Sequence, residues 1–286
     1  MYLEKIDGQG DGGPVALERA RGQARVSVAR ARGATLLVDL AQAGSARLLL
    51  PRTANPWPEA VFLNTSGGLT SGDHLSFGID LGADAMLTAT TQTAERAYLA
   101  RGGPAKLTVG GQVAAGAMLE WLPQETILFE GANLERETRI DLGPGARCLL
   151  AETVVLGRRA MGETVGMARL TDRRQVTLEG RPLWFETLVL SPEVLAMADG
   201  PAGLGGAVAF ATLALCGEGA EAAAADLRNL ETVAGVTFAV SGWAGRTVLR
   251  ATAHDLWPLK RLLARAIARL TCRPLPRVWQ MQGATS

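Results

Sequence analysis

Hydrophobic and polar positions alternate with a period of two along much of the chain. The pattern is cleanest after Gly72-Asp73. Leu75, Phe77, Ile79 and Leu81 fall on one side, and His74, Ser76, Gly78 and Asp80 on the other, which is the pattern of a half-buried strand. Gly82-Ala83-Asp84 turns the chain, and a second strand runs through Leu87 into Thr88-Ala89-Thr90-Thr91-Gln92-Thr93. The polar atoms of that run need partners if buried. It is therefore either a hydrogen-bonded sheet end or the lining of a wet cavity.

The same rhythm predicts strands elsewhere. From Arg25, Val26 and Val28 alternate with polar or small residues, and Leu36, Val38 and Leu40 follow suit. Ala105–Val109 and Val113–Trp121 read as a hairpin across Gly110-Gly111. Glu135–Leu142 reads as a partner of Arg147–Val155 across Gly143-Pro144-Gly145. Thr164–Thr171, Gln175–Leu178 and Leu183–Leu190 add three more strands. Many short strands at close spacing predict an all-β sandwich, barrel or solenoid, and no fixed period selects a regular solenoid. Past Pro201 the pattern changes. Ala207–Cys216, Val236–Val240 and Thr247–Ala251 read as strands, and Glu218–Asn229 as an Ala-rich helix. A last helix begins at Asp255, with Leu256, Leu259, Leu263, Ile267 and Leu270 on one face and Arg261, Arg265 and Arg269 on another. Asp255 caps it and Pro258 sits in its first turn, where proline is tolerated. The expected organisation is a flexible segment over residues 1–22, then one mainly β domain over 23–286 that ends in a small α/β portion.

Composition adds limits. Hydrophobic residues make up 48% of the 286, so a large core is available, while 5% aromatics and 34 glycines favour many turns and small-residue packing. A net charge of +1 gives no field that would favour nucleic acid or acidic membranes. The three cysteines are scattered and odd in number, which suggests neither a disulfide framework nor a metal knuckle. There is no secretory signal pattern and no apolar run long enough to span a membrane, so a cytoplasmic protein is expected.

Candidate chemistry is sparse. The only histidines are His74 and His254, and no nucleophile elbow accompanies them. Ser66–Asp73 and Gly203-Leu204-Gly205-Gly206 are Gly-rich but lack the flanking elements of a phosphate or dinucleotide site, so both read as turns. The remaining polar groups of interest are the carboxylates Asp73, Asp80, Glu125, Glu130, Glu152 and Glu163. Such groups serve as surface charges, as turn caps or as weak cation ligands. Weak binding suits passage of an ion rather than its storage.

One stretch is more specific. Asn64-x-x-Gly67-Gly68-x-x-x-Gly72-Asp73-x-Leu75, a strand, then Leu87-Thr88-x-x-Thr91-Gln92-x-Ala94-Glu95-x-x-Tyr98 resembles the urease accessory protein UreD (UreH) family. Trp121–Ala132, Glu152 with Gly157–Glu163, and Pro274–Trp279 follow in that family's order. The resemblance implies an irregular β-helix-like body of two sheets, with a few helices near the C-terminus. It also implies a non-catalytic scaffold that joins UreF and the GTPase UreG, docks on urease apoprotein and conducts Ni²⁺ toward the nascent active site, with no tightly bound cofactor. Matched by motif, Asp73, Glu125 and Glu163 are the implied nickel-passage residues, and His74, Thr90, Thr91 and Gln92 would support the passage. The alternative is a β-solenoid or sandwich enzyme acting on a sugar or polyanion, with Asp73 and Glu163 as acid and base.

Overall fold

A computed structural model describes residues 19–53, 55–158, 161–200 and 203–280. Among these residues, seventeen strands and three α-helices are formed. In chain order the strands begin with β1 (Arg21–Ala31), β2 (Ala34–Gly44), β3 (Ala46–Leu49), β4 (Glu59–Asn64), β5 (His74–Leu81) and β6 (Met86–Thr91). They continue with β7 (Glu95–Ala97), β8 (Ala105–Val113), β9 (Met118–Leu122), β10 (Thr126–Leu128), β11 (Asn133–Leu142) and β12 (Arg147–Leu156). After β13 (Arg169–Leu178) and β14 (Arg181–Leu190) come α1 (Pro192–Ala196), β15 (Ala209–Gly217), α2 (Ala223–Arg228), β16 (Val236–Trp243), β17 (Arg246–Ala253) and α3 (Leu256–Thr271).

The strands form two sheets. The first has the order β14-β13-β11-β8-β5-β1-β2, and the second runs β16-β17-β15-β12-β9-β6-β4-β3, with β10 joined to β12 and β7. From β4 to β13 the chain winds between them, so β1, β5, β8, β11 and β13 pair in parallel in one sheet and β4, β6, β9 and β12 in the other. This is the coil of an irregular solenoid, closed at both sides by antiparallel strands.

Stacked corners explain how the coil turns. Asp84, Gly116 and Gly145 occupy equivalent positions in three successive corners, all with positive φ (54°, 68° and 63°). That left-handed conformation selects glycine or a small polar residue. Asp84 N–H donates to Ala115 O at 2.9 Å and Gly116 N–H to Pro144 O at 3.0 Å. A buried alanine follows each corner: Ala85, Ala117 and Ala146. Leu81, Val113 and Leu142 close the preceding strands, and their unequal spacing hides the repeat from a search for a fixed period.

Two expected hairpins are corrected by this winding. Gly110-Gly111 is no turn: β8 runs straight through it. A Cβ on Gly111 would sit 2.6 Å from Ile140 Cδ1, so this glycine leaves room for the side chain of its register partner on β11. Likewise Gly143–Gly145 is a corner between sheets, and β11 pairs with β8 and β13 rather than with β12. The two strands expected at Thr164–Thr171 and Gln175–Leu178 are one strand, β13. The helix expected at Glu218–Asn229 is a 3-10 turn at Ala220–Ala222 followed by the short α2. Of the N-terminal segment expected to be flexible, residues 1–18 lie outside the described residues, and Arg21 and Gly22 already belong to β1.

The main core lies between the sheets, where Phe62, Phe77 and Trp121 pack with ring centroids 4.7–6.3 Å apart. A second core lies on the other face of the second sheet. There Leu149, Leu213 and Leu249 meet Leu259, Leu262, Leu263 and Ile267 of α3. Asp255 caps α3 by accepting the Trp257 N–H at 2.7 Å, as its position in the sequence suggests. Trp279 is buried there and donates its indole N–H to Leu122 O at 2.8 Å.

Candidate functional site

At the end opposite the stacked corners, longer connectors carry the chain from the second sheet to the first. They are 65–73, 92–104, 123–132 and, of the described residues, 157–158 with 161–168, interrupted by β7 and β10. These segments contain most of the motif residues, and they bond to one another. Leu69 N–H donates to Arg96 O, Glu95 N–H to Glu125 O, Ala100 N–H to Gly131 O and Gly157 N–H to Leu128 O, all at 2.7–3.0 Å.

Asp73 ties this end together rather than facing solvent. It is buried, and its two oxygens accept the Ala20 and Thr70 N–H groups, each at 2.8 Å. Glu163 plays a similar part. It accepts the Glu130 N–H at 3.3 Å and the Arg158 N–H at 3.0 Å, and pairs with the Arg158 guanidinium at 3.1 Å. Burial pushes its carboxyl upward, but Arg158 and these N–H groups outweigh that and hold it below the usual range. Glu130 in turn accepts the Gly166 and Met167 N–H groups at 2.7 and 3.2 Å.

The other expected residues do not gather around Asp73 and Glu163. Glu125 and Gln124 share Lys260 of α3, at 2.9 and 2.6 Å. Thr90 is buried and donates to Leu122 O at 2.6 Å, while Thr91 Oγ1 accepts the Gln124 N–H at 2.9 Å. His74 and Gln92 are exposed. Thus Thr90 and Thr91 are hydrogen-bonded at a sheet end, while Thr91 and Thr93 also line a small cavity. Among the described residues no group of three or more His, Cys, Asp or Glu side chains is arranged to hold a metal ion.

Glu95 was not among the expected site residues. Both its oxygens lie within hydrogen-bond reach of Asn64 Nδ2, at 3.2 and 3.3 Å, and one accepts the Arg96 N–H at 3.1 Å. Burial pushes its carboxyl up to about 7 despite these bonds. A small cavity of ≈ 40 Å³ adjoins it, with Phe62, Phe77 and Thr91 in its wall.

The largest feature missed from sequence is an ionic seam between the sheets. Arg136 of β11 meets Asp172 of β13 at 3.0 and 2.7 Å and Glu152 of β12 at 2.6 Å, and donates to Thr126 Oγ1 at 2.9 Å. Asp172 also holds Arg174, which reaches Glu186 of β14 at 3.1 Å. Glu186 then pairs with Arg250 of β17, which is 53% exposed. At the inner end, Trp121 Nε1 and Thr138 Oγ1 donate to Glu152 at 3.2 and 3.1 Å. The interior is therefore apolar on the β1–β5–β8 side and becomes ionic at β11, β13 and β14. Burial raises the Asp172 carboxyl, yet Arg136 and Arg174 prevail and bring it to about 2. Only Glu152 of this seam was singled out in advance. The available signal was phase: Leu134, Arg136, Thr138, Ile140 and Leu142 share one face, as do Leu170, Asp172, Arg174 and Val176.

The class is that of a two-sheet β-solenoid whose motif carboxylates are spent on turns and ion pairs. The chain belongs to the UreD urease accessory protein family, whose pattern it matches over residues 20–280. It is 53% identical over 264 residues to the urease accessory protein UreD of Cereibacter sphaeroides strain ATCC 17025, covering 92% of this chain and 96% of that one. It is 47% identical to the Paracoccus denitrificans protein of the same name over 268 residues, 94% and 95% of the two chains. With the Rhizobium leguminosarum bv. viciae protein, also named UreD, identity is 40% over 265 residues, 92% and 96% of the two. It is accordingly an accessory protein of urease maturation and not an enzyme, and the acid–base role considered for Asp73 and Glu163 falls with that finding.

Proposed function

We propose that this chain is a cytoplasmic scaffold that assembles with UreF and UreG on urease apoprotein and passes Ni²⁺ through its body toward the nascent active site. Ni²⁺ is cargo here, not a resident cofactor. The observation that best supports passage is the seam. It places Glu152, Asp172 and Glu186 in the interior and reaches the surface beside Arg250. An ion in transit would have to borrow these oxygens in competition with their arginines, so its stay at each would be brief. In this reading Asp73, Glu125 and Glu163, with His74, Thr90, Thr91 and Gln92, shape the connectors around the passage. No helix among the described residues is long and apolar enough to cross a membrane, which is compatible with the proposed location.

Co-expression tests the proposal. The tagged chain is produced with UreF, UreG and the urease subunits of its source, and urease activity is assayed at limiting nickel, with and without the chain. Stable co-purification and loss of activation on omission are expected. Glu186→Gln, at the outer part of the seam, should lower activation while the complex still assembles. Full activation without the chain would refute the proposal.

A further inference from the structure

The connector end carries an exposed apolar patch that the fold leaves bare. Tyr98, Leu99, Met161 and Met167 are 42%, 51%, 76% and 60% exposed. They come from two different connectors, and a third, which carries Phe129, Glu130 and Gly131, supports both pairs. The Tyr98 ring stacks on Phe129 at 4.9 Å, and Arg158 lies over the same Phe129 ring at 4.9 Å. Leu99 packs against Gly131, where any side chain would collide with it. Met167 is fixed through its N–H to Glu130, and Met161 through its N–H to Arg158 O at 2.8 Å. Long apolar side chains are thus held outward on a braced base.

The charges around this patch are unbalanced in their availability. Its carboxylates are engaged: Glu130, although exposed, and Glu163 accept backbone N–H groups, and Glu95 is held by Asn64. Its cations face outward. Arg96 and Arg101 are exposed and form no ion pair among the described residues, and Arg158 is 57% exposed. Exposed apolar groups flanked by exposed arginines, two of them (Arg96 and Arg101) without an ion pair among the described residues, are the composition of a protein-docking surface.

We propose that this end of the solenoid is the docking face of the scaffold, and that its partner presents an apolar surface ringed by carboxylates. The inference rests on the scaffold reading above and adds to it the face and the chemistry of the partner. Complementary charge would steer the encounter, and Tyr98, Met161 and Met167 would supply the anchors.

The test uses the co-expressed complex. Met161→Glu with Met167→Glu puts acid into the patch at positions exposed enough to spare folding, which circular dichroism and thermal melting verify. We expect capture of one partner, UreF, UreG or urease apoprotein, to fall by about tenfold or more. Arg96→Glu with Arg101→Glu should weaken the same partner, and its capture by the native chain should decline with added salt. As a control, Phe185→Glu alters an exposed apolar residue on the edge strand β14 and should leave capture unchanged. Undiminished capture by the methionine variants, or loss with Phe185→Glu alone, overturns the docking face. Arginine variants that bind normally overturn the acidic partner, and self-association through the patch overturns the heterologous one. If the native chain captures no partner at all, the scaffold reading itself fails, and this inference with it.

Discussion

Arg136 and Asp172 stand at the same register position on neighbouring parallel strands and meet through two parallel hydrogen bonds, Nε to Oδ1 and Nη2 to Oδ2. Both are almost fully buried. A fork-to-carboxylate pair is strong and geometrically selective, but its desolvation is costly, so such a pair specifies an arrangement more than it adds net stability. Removing one partner is different. Arg136→Met leaves Glu152 and Asp172 buried without their shared cation, and should destabilise the fold by about 3–5 kcal/mol, read by denaturant unfolding. Asp172 also fixes an acid limit. Its folded value is about 2 against 3.8 ordinarily. A carboxyl lowered in this way stabilises the fold above the unfolded value, and that contribution is lost as pH falls through the folded value. Unfolding titrated downward from pH 4 should therefore show a declining midpoint that Asp172→Asn, itself less stable at neutral pH, does not show.

Glu95 has the opposite sign. Its carboxyl rises from 4.5 to about 7 on folding, chiefly through burial. The folded state binds its proton more tightly, so the contribution is complete below about 4.5 and is lost as pH rises through about 7. The native protein should become less stable between those limits, and Glu95→Gln should flatten the dependence while leaving stability at low pH nearly unchanged. A Glu95→Gln variant with the same slope as the native chain would assign the dependence to another group.

Much of the fold is legible in the residues, though unevenly. The alternation of Leu75, Phe77, Ile79 and Leu81 marks a half-buried strand, and all four are buried. Asp255 announces α3. What alternation does not carry is the identity of a strand's neighbour. It states which residues share a face but not which sheet the chain enters next, so Gly110-Gly111 and Gly143–Gly145 both look like hairpin turns when one is a strand interior and the other a corner. The site is less legible for a related reason. Motif position brings Asp73 and Glu163 forward, but their oxygens are taken by the N–H groups of Ala20, Thr70, Glu130 and Arg158, which only the folded chain brings to them. Arg136 and Asp172 are visible only as charged residues on an apolar phase, and their pairing depends on a parallel register between strands far apart in sequence.

The cysteines illustrate the same gap and give a simple measurement. Cys148 and Cys216, distant in sequence, are register partners on β12 and β15. The thiols are free and buried, whereas Cys272 is exposed. Hydrogen bonding with Cys216, and then burial, pushes the Cys148 thiol upward, which suppresses its reactive thiolate. A thiol reagent applied to the folded protein should modify one cysteine quickly and the other two only on unfolding, with mass spectrometry placing the fast site at Cys272. Rapid labelling of Cys148 would indicate that the β12–β15 pairing opens in solution.

Asp73 separates a structural role from a direct part in nickel passage. Its oxygens hold the Ala20 and Thr70 N–H groups, which join the segment before β1 to the turn before β5. Asp73→Ala orphans both donors, at about 1–3 kcal/mol for each buried group left unsatisfied, and should lower the unfolding midpoint. Asp73→Asn keeps one acceptor oxygen and should recover part of that loss, although it removes the negative charge completely. The two roles then predict different orders of activity. If Asp73 acts by bracing the connectors, urease activation in co-expressing cells should follow stability, with Asn above Ala and both improving at lower growth temperature. If its charge is needed by the ion, Asn and Ala should be equally defective at every temperature while the complex still assembles. The geometry favours the first order, because Asp73 is buried and both its oxygens already accept backbone N–H groups.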